Sequence, residues 1–108
     1  MSEATLLRAC LQRLAMERTH WCGWRQNAGM AWRGRSPIRL APAGVADIIG
    51  AWRGCPLAIE CKAGRTNPKQ IAAQGAFASA WREAGGIYLR IEDVAALDEW
   101  LVNVGELS

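Results

Sequence analysis

The amino-acid sequence predicts a single α/β domain with a mixed central β-sheet and flanking helices. Three observations carry this. The chain has 108 residues, enough for one modest core and no second domain. Hydrophobic residues make up 51% and charged residues 21%, a globular balance unlike that of a disordered tail. The apolar pattern alternates between helical and strand-like periods, in the order αβββαβα.

Each element follows from local chemistry. Ser2 is placed to cap a helix running to about residue 18, with Leu7, Cys10 and Leu14 as its apolar stripe and Leu6 and Leu11 widening it. Glu3 and Glu17 fall on that stripe, where a carboxylate either snorkels at a helix end or points at a site. Residues 24–27 read as a short strand, Asn27-Ala28-Gly29 as a turn, and 34–44 as a basic irregular loop containing Pro37 and Pro42. Strands over 47–52 and 56–62 follow, joined by a two-residue turn at Arg53-Gly54. A helix fits 68–84, with Pro68 in its first turn, where the missing N–H costs nothing, and Gly85-Gly86 ending it. Residues 87–91 form a buried strand and 93–102 a last amphipathic helix. No linker, repeat or low-complexity tract divides residues 1–108.

The net charge of +3 conceals an asymmetry. Residues 1–54 hold eight Arg against Glu3, Glu17 and Asp47, whereas residues 55–108 hold five basic and seven acidic side chains. Eleven of the thirteen basic residues are Arg, which grips phosphate bidentately and stacks on bases, so a polyanionic partner is a candidate. No apolar run approaches the ~20 residues that span a bilayer. The N-terminal residues do not read as a secretory signal. Cys10, Cys22, Cys55 and Cys61 form no CxxC pair and are expected as reduced thiols in a cytoplasmic protein. With His20 they match no common zinc spacing.

The most informative segments are Gly44-Val45-Ala46-Asp47 and Ile59-Glu60-Cys61-Lys62. A turn at Arg53-Gly54 pairs Trp52 with Cys55, and the same register sets Asp47 opposite Glu60. Opposed residues share a face of the sheet, and alternation adds Lys62 to that face while Leu57, Ile59 and Cys61 point to the other. Two opposed carboxylates repel unless a cation lies between them, and such oxygen ligands suit Mg²⁺ or Mn²⁺. A water activated by such an ion can attack a phosphodiester, with Lys62 orienting it or stabilising charge on the phosphate. The plainer alternative is an ordinary hairpin in which Asp47 and Glu60 pair with Lys62.

Asp47 followed by Glu60-Cys61-Lys62 resembles the D…(D/E)-x-K core of the PD-(D/E)XK nucleases. The wider set, Gly44-x-x-Asp47-Ile48-Ile49-Gly50, Gly54, Ile59-Glu60-Cys61-Lys62, Gln70 and Ala84-Gly85-Gly86, resembles the virus-type replication-repair nuclease (VRR-NUC) domain in its small stand-alone phage or bacterial form. The resemblance implies a PD-(D/E)XK-like fold, with Asp47 and Glu60 as metal-binding carboxylates and the Cys61 carbonyl as a further ligand. It implies Lys62 as the catalytic lysine, Gln70 as a supporting glutamine, and Glu3 rather than Glu17 as the helical carboxylate that reaches the metal. Ala46 and Cys61 depart from the proline and aliphatic residue common at those positions. It further implies a homodimer resolving four-way DNA junctions in replication, recombination or repair.

Candidate DNA contacts are Arg25, Arg33, Arg35 and Arg39 in the Arg-rich segment, and Arg65 and Lys69 beside the site. Trp52, Trp81 and Trp100 fall in predicted elements, as core or interface residues. Trp24 and Trp32 lie among arginines, where they either stack on bases or anchor a loop. The function expected is that of a Mg²⁺- or Mn²⁺-dependent DNA endonuclease. A non-catalytic or partner-dependent DNA-binding module on the same fold is one alternative, and a structural protein with an ion-pair cluster is another.

Overall fold

A computed structural model describes residues 1–26, 30–39, 41–64 and 67–107. The chain runs α1 (Glu3–Ala15), β1 (Trp21–Arg25), β2 (Met30–Arg33), β3 (Ser36–Arg39), β4 (Ile48–Trp52), β5 (Cys55–Cys61), α2 (Pro68–Glu83), β6 (Ile87–Ile91) and α3 (Val94–Leu107). The main sheet has the order β1-β4-β5-β6. β1/β4 and β4/β5 pair antiparallel, while β5/β6 are parallel and joined through α2, so the sheet is mixed as expected. α1 and α3 pack together on one face of the sheet, while α2 packs against β6.

The expected order αβββαβα describes the main sheet and its helices but omits two strands. Where an irregular loop was expected over 34–44, Ser36–Arg39 pairs antiparallel with Met30–Arg33 as a separate two-stranded ribbon. The complete order is therefore αβββββαβα. Pro37 argues against a strand because it donates no N–H. Here it opposes Trp32, one pair in from the residues flanking the Gly34-Arg35 turn. In such a hairpin that is the non-hydrogen-bonded position, so Pro37 removes no ladder bond. The turn expected at residues 27–29 lies outside the described residues.

Two boundaries also shift. α1 stops at Ala15 instead of about residue 18, because Glu17 accepts the backbone N–H groups of His20 and Trp21 on its carbonyl and turns the chain into β1. β1 accordingly begins at Trp21, three residues before the expected strand. α3 extends beyond 102 to Leu107, and Asp93 caps it by accepting the Ala96 N–H at 2.9 Å. Ser2 caps α1 as expected, and Asn67 caps α2.

The main core lies between the sheet and the α1–α3 layer. Leu6, Leu7, Cys10 and Leu14 of α1 meet Ile48, Trp52, Leu57, Ile59 and Cys61 of the β4–β5 hairpin, and Ile91, Leu97 and Leu101 close it. On the opposite side, Ala78 is the sole buried residue of α2. Of the six Trp, Trp52 is buried and Trp21, Trp81 and Trp100 are half-buried, which leaves Trp24 and Trp32 exposed. No helix among the described residues is long and apolar enough to cross a membrane.

The segment entering β4 is held by Gly44. Its φ is +74°, and a Cβ there would collide with the Ala73 backbone of α2. Gly54 also has positive φ, +83°, but faces open space. Gly44→Ala is therefore expected to destabilise the protein by about 2 kcal/mol or more, strain and backbone collision together, against roughly 1 kcal/mol for Gly54→Ala. Equilibrium urea unfolding of the two variants checks this. Equal losses would show that the Gly44–α2 contact is not tight.

Candidate active site

The β4–β5 hairpin builds the site. Arg53 (φ 48°) and Gly54 both adopt positive φ, the pattern of a type I′ turn, which fixes a two-residue connection and hence the register. Trp52 opposes Cys55 and Ile48 opposes Ile59, the pairing read from the sequence. One step further, Asp47 lies across from Glu60. Asp47 Oδ2 accepts the backbone N–H of Cys61 at 2.8 Å, which holds the carboxylate on β5.

Glu60 is only 4% exposed. Its Oε1 accepts a hydrogen bond from Gln74 Nε2 at 3.2 Å, whereas its Oε2 is buried without a hydrogen-bond partner. The Asp47 carboxylate is within hydrogen-bonding reach of it. Burial, then the Asp47 charge, push the Glu60 carboxyl up to about 8, with Lys62 opposing the shift. The Tyr88 hydroxyl is pushed up to about 12, first by burial and then by Glu60 and Asp47.

Lys62 is 8% exposed, with Nζ 3.6 Å from Glu3 Oε1 and 3.9 Å from Glu60 Oε1. Glu3 therefore reaches the site through Lys62. Glu17 is turned away and pairs with Arg13 at 3.0 Å. Cys61 contributes backbone only, because its buried side chain meets Cys10 in the core, and that contact with burial pushes its thiol well up. All four cysteines are free, and Cys22 and Cys55 are exposed.

The resemblance implied a supporting glutamine at Gln70. That residue is exposed, and its backbone N–H is taken by the Asn67 cap. Gln74, four residues later on the same helix face, makes the contact with Glu60 instead. A second residue missed from the sequence is Arg90, which the parallel register sets beside Glu60. Its signal in the sequence is the strand over 87–91, but no local pattern specifies the parallel pairing with β5. Arg25 ends β1 and lines a cavity of about 250 Å³ with Glu3, Ala4, Leu7 and Asp47. Lys69 is exposed in the first turn of α2, Arg33, Arg35 and Arg39 are exposed on the ribbon, and Arg65 lies outside the described residues.

The donor set fits a hard divalent cation. An orphaned, buried carboxylate oxygen beside a second carboxylate is costly unless a proton or a cation is shared between them. Among the described residues no group of three or more His, Cys, Asp or Glu side chains is gathered as ligands. Asp47 and Glu60 would thus be the two protein carboxylates, which is enough for Mg²⁺, an ion that keeps several waters. No protein-family model matches the chain, and no curated protein matches it.

The raised Glu60 carboxyl makes stability depend on pH. Its folded value of about 8 lies above the ordinary 4.5, so the folded state binds the extra proton. Stability of the metal-free protein is therefore highest, as far as Glu60 is concerned, below pH 4.5 and is lost as pH rises towards about 8. Urea unfolding in EDTA at about pH 5 and about pH 9 should show this fall, and Glu60→Gln should flatten it. An equal pH dependence in Glu60→Gln would assign the effect to another group.

Proposed function

We propose that the protein is a metal-dependent nuclease that hydrolyses DNA phosphodiester bonds, with Asp47 and Glu60 holding Mg²⁺ or Mn²⁺. The observation that carries this reading is the Glu60 carboxyl, 4% exposed and set against Asp47, a pair that needs a proton or a cation between its oxygens. An ion-pair cluster would neutralise this pair with a close cation, but Lys62 Nζ stands 3.9 Å from Glu60 Oε1, beyond hydrogen-bonding distance. A pure DNA-binding module has no use for two carboxylates that would repel phosphate.

The ion supplies Lewis acidity and a nucleophilic water at neutral pH. Asp47, held by the Cys61 N–H, and Glu60, held by Gln74, fix the ligand oxygens before substrate arrives. Lys62 is buried and tethered by Glu3, so its ammonium presents a fixed positive charge to a scissile phosphate or its attacking water. Arg90, set beside Glu60 by the parallel register and 3.9 Å from Glu92, is the basic residue nearest to hand for a flanking phosphate.

Asp47→Ala and Glu60→Ala should each abolish cleavage with the fold retained, and without metal they should relieve repulsion. Lys62→Ala should slow cleavage by orders of magnitude with metal affinity kept, and Lys62→Arg should rescue poorly because guanidinium differs in shape. Gln74→Ala should slow it more than Gln70→Ala. The assay is a gel time course on single-stranded, duplex, flap and four-way-junction DNA in Mg²⁺ or Mn²⁺. Wild-type rates from Asp47→Ala would remove the nuclease reading.

Paired cuts on a four-way junction need two sites related by symmetry, so junction resolution requires a homodimer. Trp24, 56% exposed on the edge strand β1, is one of several exposed apolar side chains that such a contact could cover. Light scattering at micromolar concentration should give twice the chain mass. A strict monomer would leave nicking of flaps or single strands as the activity.

A further inference from the structure

Between Glu17 and Asp47 the chain contains no acidic residue and five Arg. Three of them, Arg33, Arg35 and Arg39, lie on the β2–β3 ribbon. Among the described residues the ribbon packs appreciably against no other element, and apart from half-buried Ala31 its described side chains are exposed. Trp32 is 66% and Ile38 42% exposed. Such apolar groups on a solvent-surrounded ribbon contribute nothing to a core.

The register divides these residues between two faces. Trp32 opposes Pro37, and alternation puts Arg39 on their side. Ile38 opposes Ala31, with Arg33 on that side. Each face thus carries one guanidinium and at least one large apolar residue, and Arg35 stands in the turn at the tip. A ribbon that docked on a flat surface would segregate apolar from charged residues. One built alike on both faces suits a partner with two walls. The major groove of duplex DNA is about 12 Å wide, admits a two-stranded β-ribbon, and is flanked by phosphates on both sides. A second copy of the chain would have to accommodate the same cluster of arginines.

We propose that the β2–β3 ribbon is a duplex-gripping arm that lies in the major groove, with Arg33 and Arg39 reaching the phosphate walls from opposite faces and Trp32 and Ile38 touching base edges. Its root supports this. The ribbon is inserted between β1 and β4, and the Gln26 N–H donates to the Asp47 carbonyl at 2.7 Å, so the chain leaves the sheet and returns to it beside the acidic site. A duplex held by the arm is thereby tethered next to Asp47. The purpose assigned to the arm rests on the nuclease reading.

The test measures duplex binding in EDTA, by fluorescence anisotropy of a labelled oligonucleotide over a series of salt concentrations. Arg33→Ala/Arg35→Ala/Arg39→Ala should reduce the slope of log K against log salt by about two to three units, and the corresponding triple Lys variant should restore it. Trp32→Ala should weaken binding severalfold at unchanged slope, because an apolar contact releases no counterions. Methyl green, a major-groove ligand, should displace the protein, whereas the minor-groove ligand distamycin should not. An unchanged slope in the triple Ala variant, or displacement by distamycin, would overturn the proposal. So would conversion of a dimer to a monomer in that variant with the slope retained, since the ribbon would then clasp a second copy. Hydrolysis of bis(p-nitrophenyl) phosphate in Mn²⁺ separates the two ideas. The triple Ala variant should match the wild type on this small diester. A wild-type protein inert towards it and towards DNA would remove the nuclease reading, while the anisotropy series would still decide the arm.

Discussion

The close approach of Asp47 and Glu60, two carboxyl groups that cannot both ionise without a cation between them, is the constraint around which the structure is arranged. Both residues are brought together by a register they do not themselves favour. The I′ turn at Arg53-Gly54 sets that register, and the apolar faces of Ile48, Trp52, Leu57 and Ile59 enforce it, because a slip by one residue would turn every one of them out of the core. Hydrophobic burial on one face of the hairpin thus holds an electrostatically unfavourable pair on the other. Cys61, Gln74 and Lys62 reduce the cost without removing it, as the raised Glu60 carboxyl shows.

β5 is the strand on which core and site are most closely joined. Alternate residues serve opposite ends: Leu57, Ile59 and Cys61 fill the α1–α3 core, and Ala58 and Glu60 face α2. Lys62, just past the strand, donates its backbone N–H to Ile91 at 2.9 Å and so keeps the parallel pairing going while its side chain spans Glu3 and Glu60. A seven-residue strand therefore carries the site at one end and the register at the other.

The hairpin, and with it the placement of Asp47, Glu60 and Lys62, was legible in the sequence because turn chemistry and period-two patterning are local. Features that depend on how separate elements meet were not. Gln70 and Gln74 lie on one helix face, and which of them reaches Glu60 depends on how α2 crosses β5. Arg90 enters through a parallel pairing that no local pattern specifies. The β2–β3 ribbon escaped for the opposite reason. It is a local hairpin, but with no core to serve it lacks the apolar alternation by which strands are recognised, and Pro37 weighs against it until the pairing position is known.

The two faces of the sheet are unequally secured. α1 and α3 bury six side chains between them or against the strands, while α2 buries only Ala78 and carries the solvent-exposed Ile71. Opening free energies follow buried apolar contact, so α2, held to β6 mainly by half-buried Phe77 and Trp81, is expected to open at lower cost than the α1–α3 layer. Its departure would take Gln74 from Glu60 and let water reach the carboxylates with the α1–α3 core intact. Amide hydrogens of α2 would then exchange by a sub-global route, ahead of those in β4 and β5, and the site lies on the side of the molecule where the native state breathes.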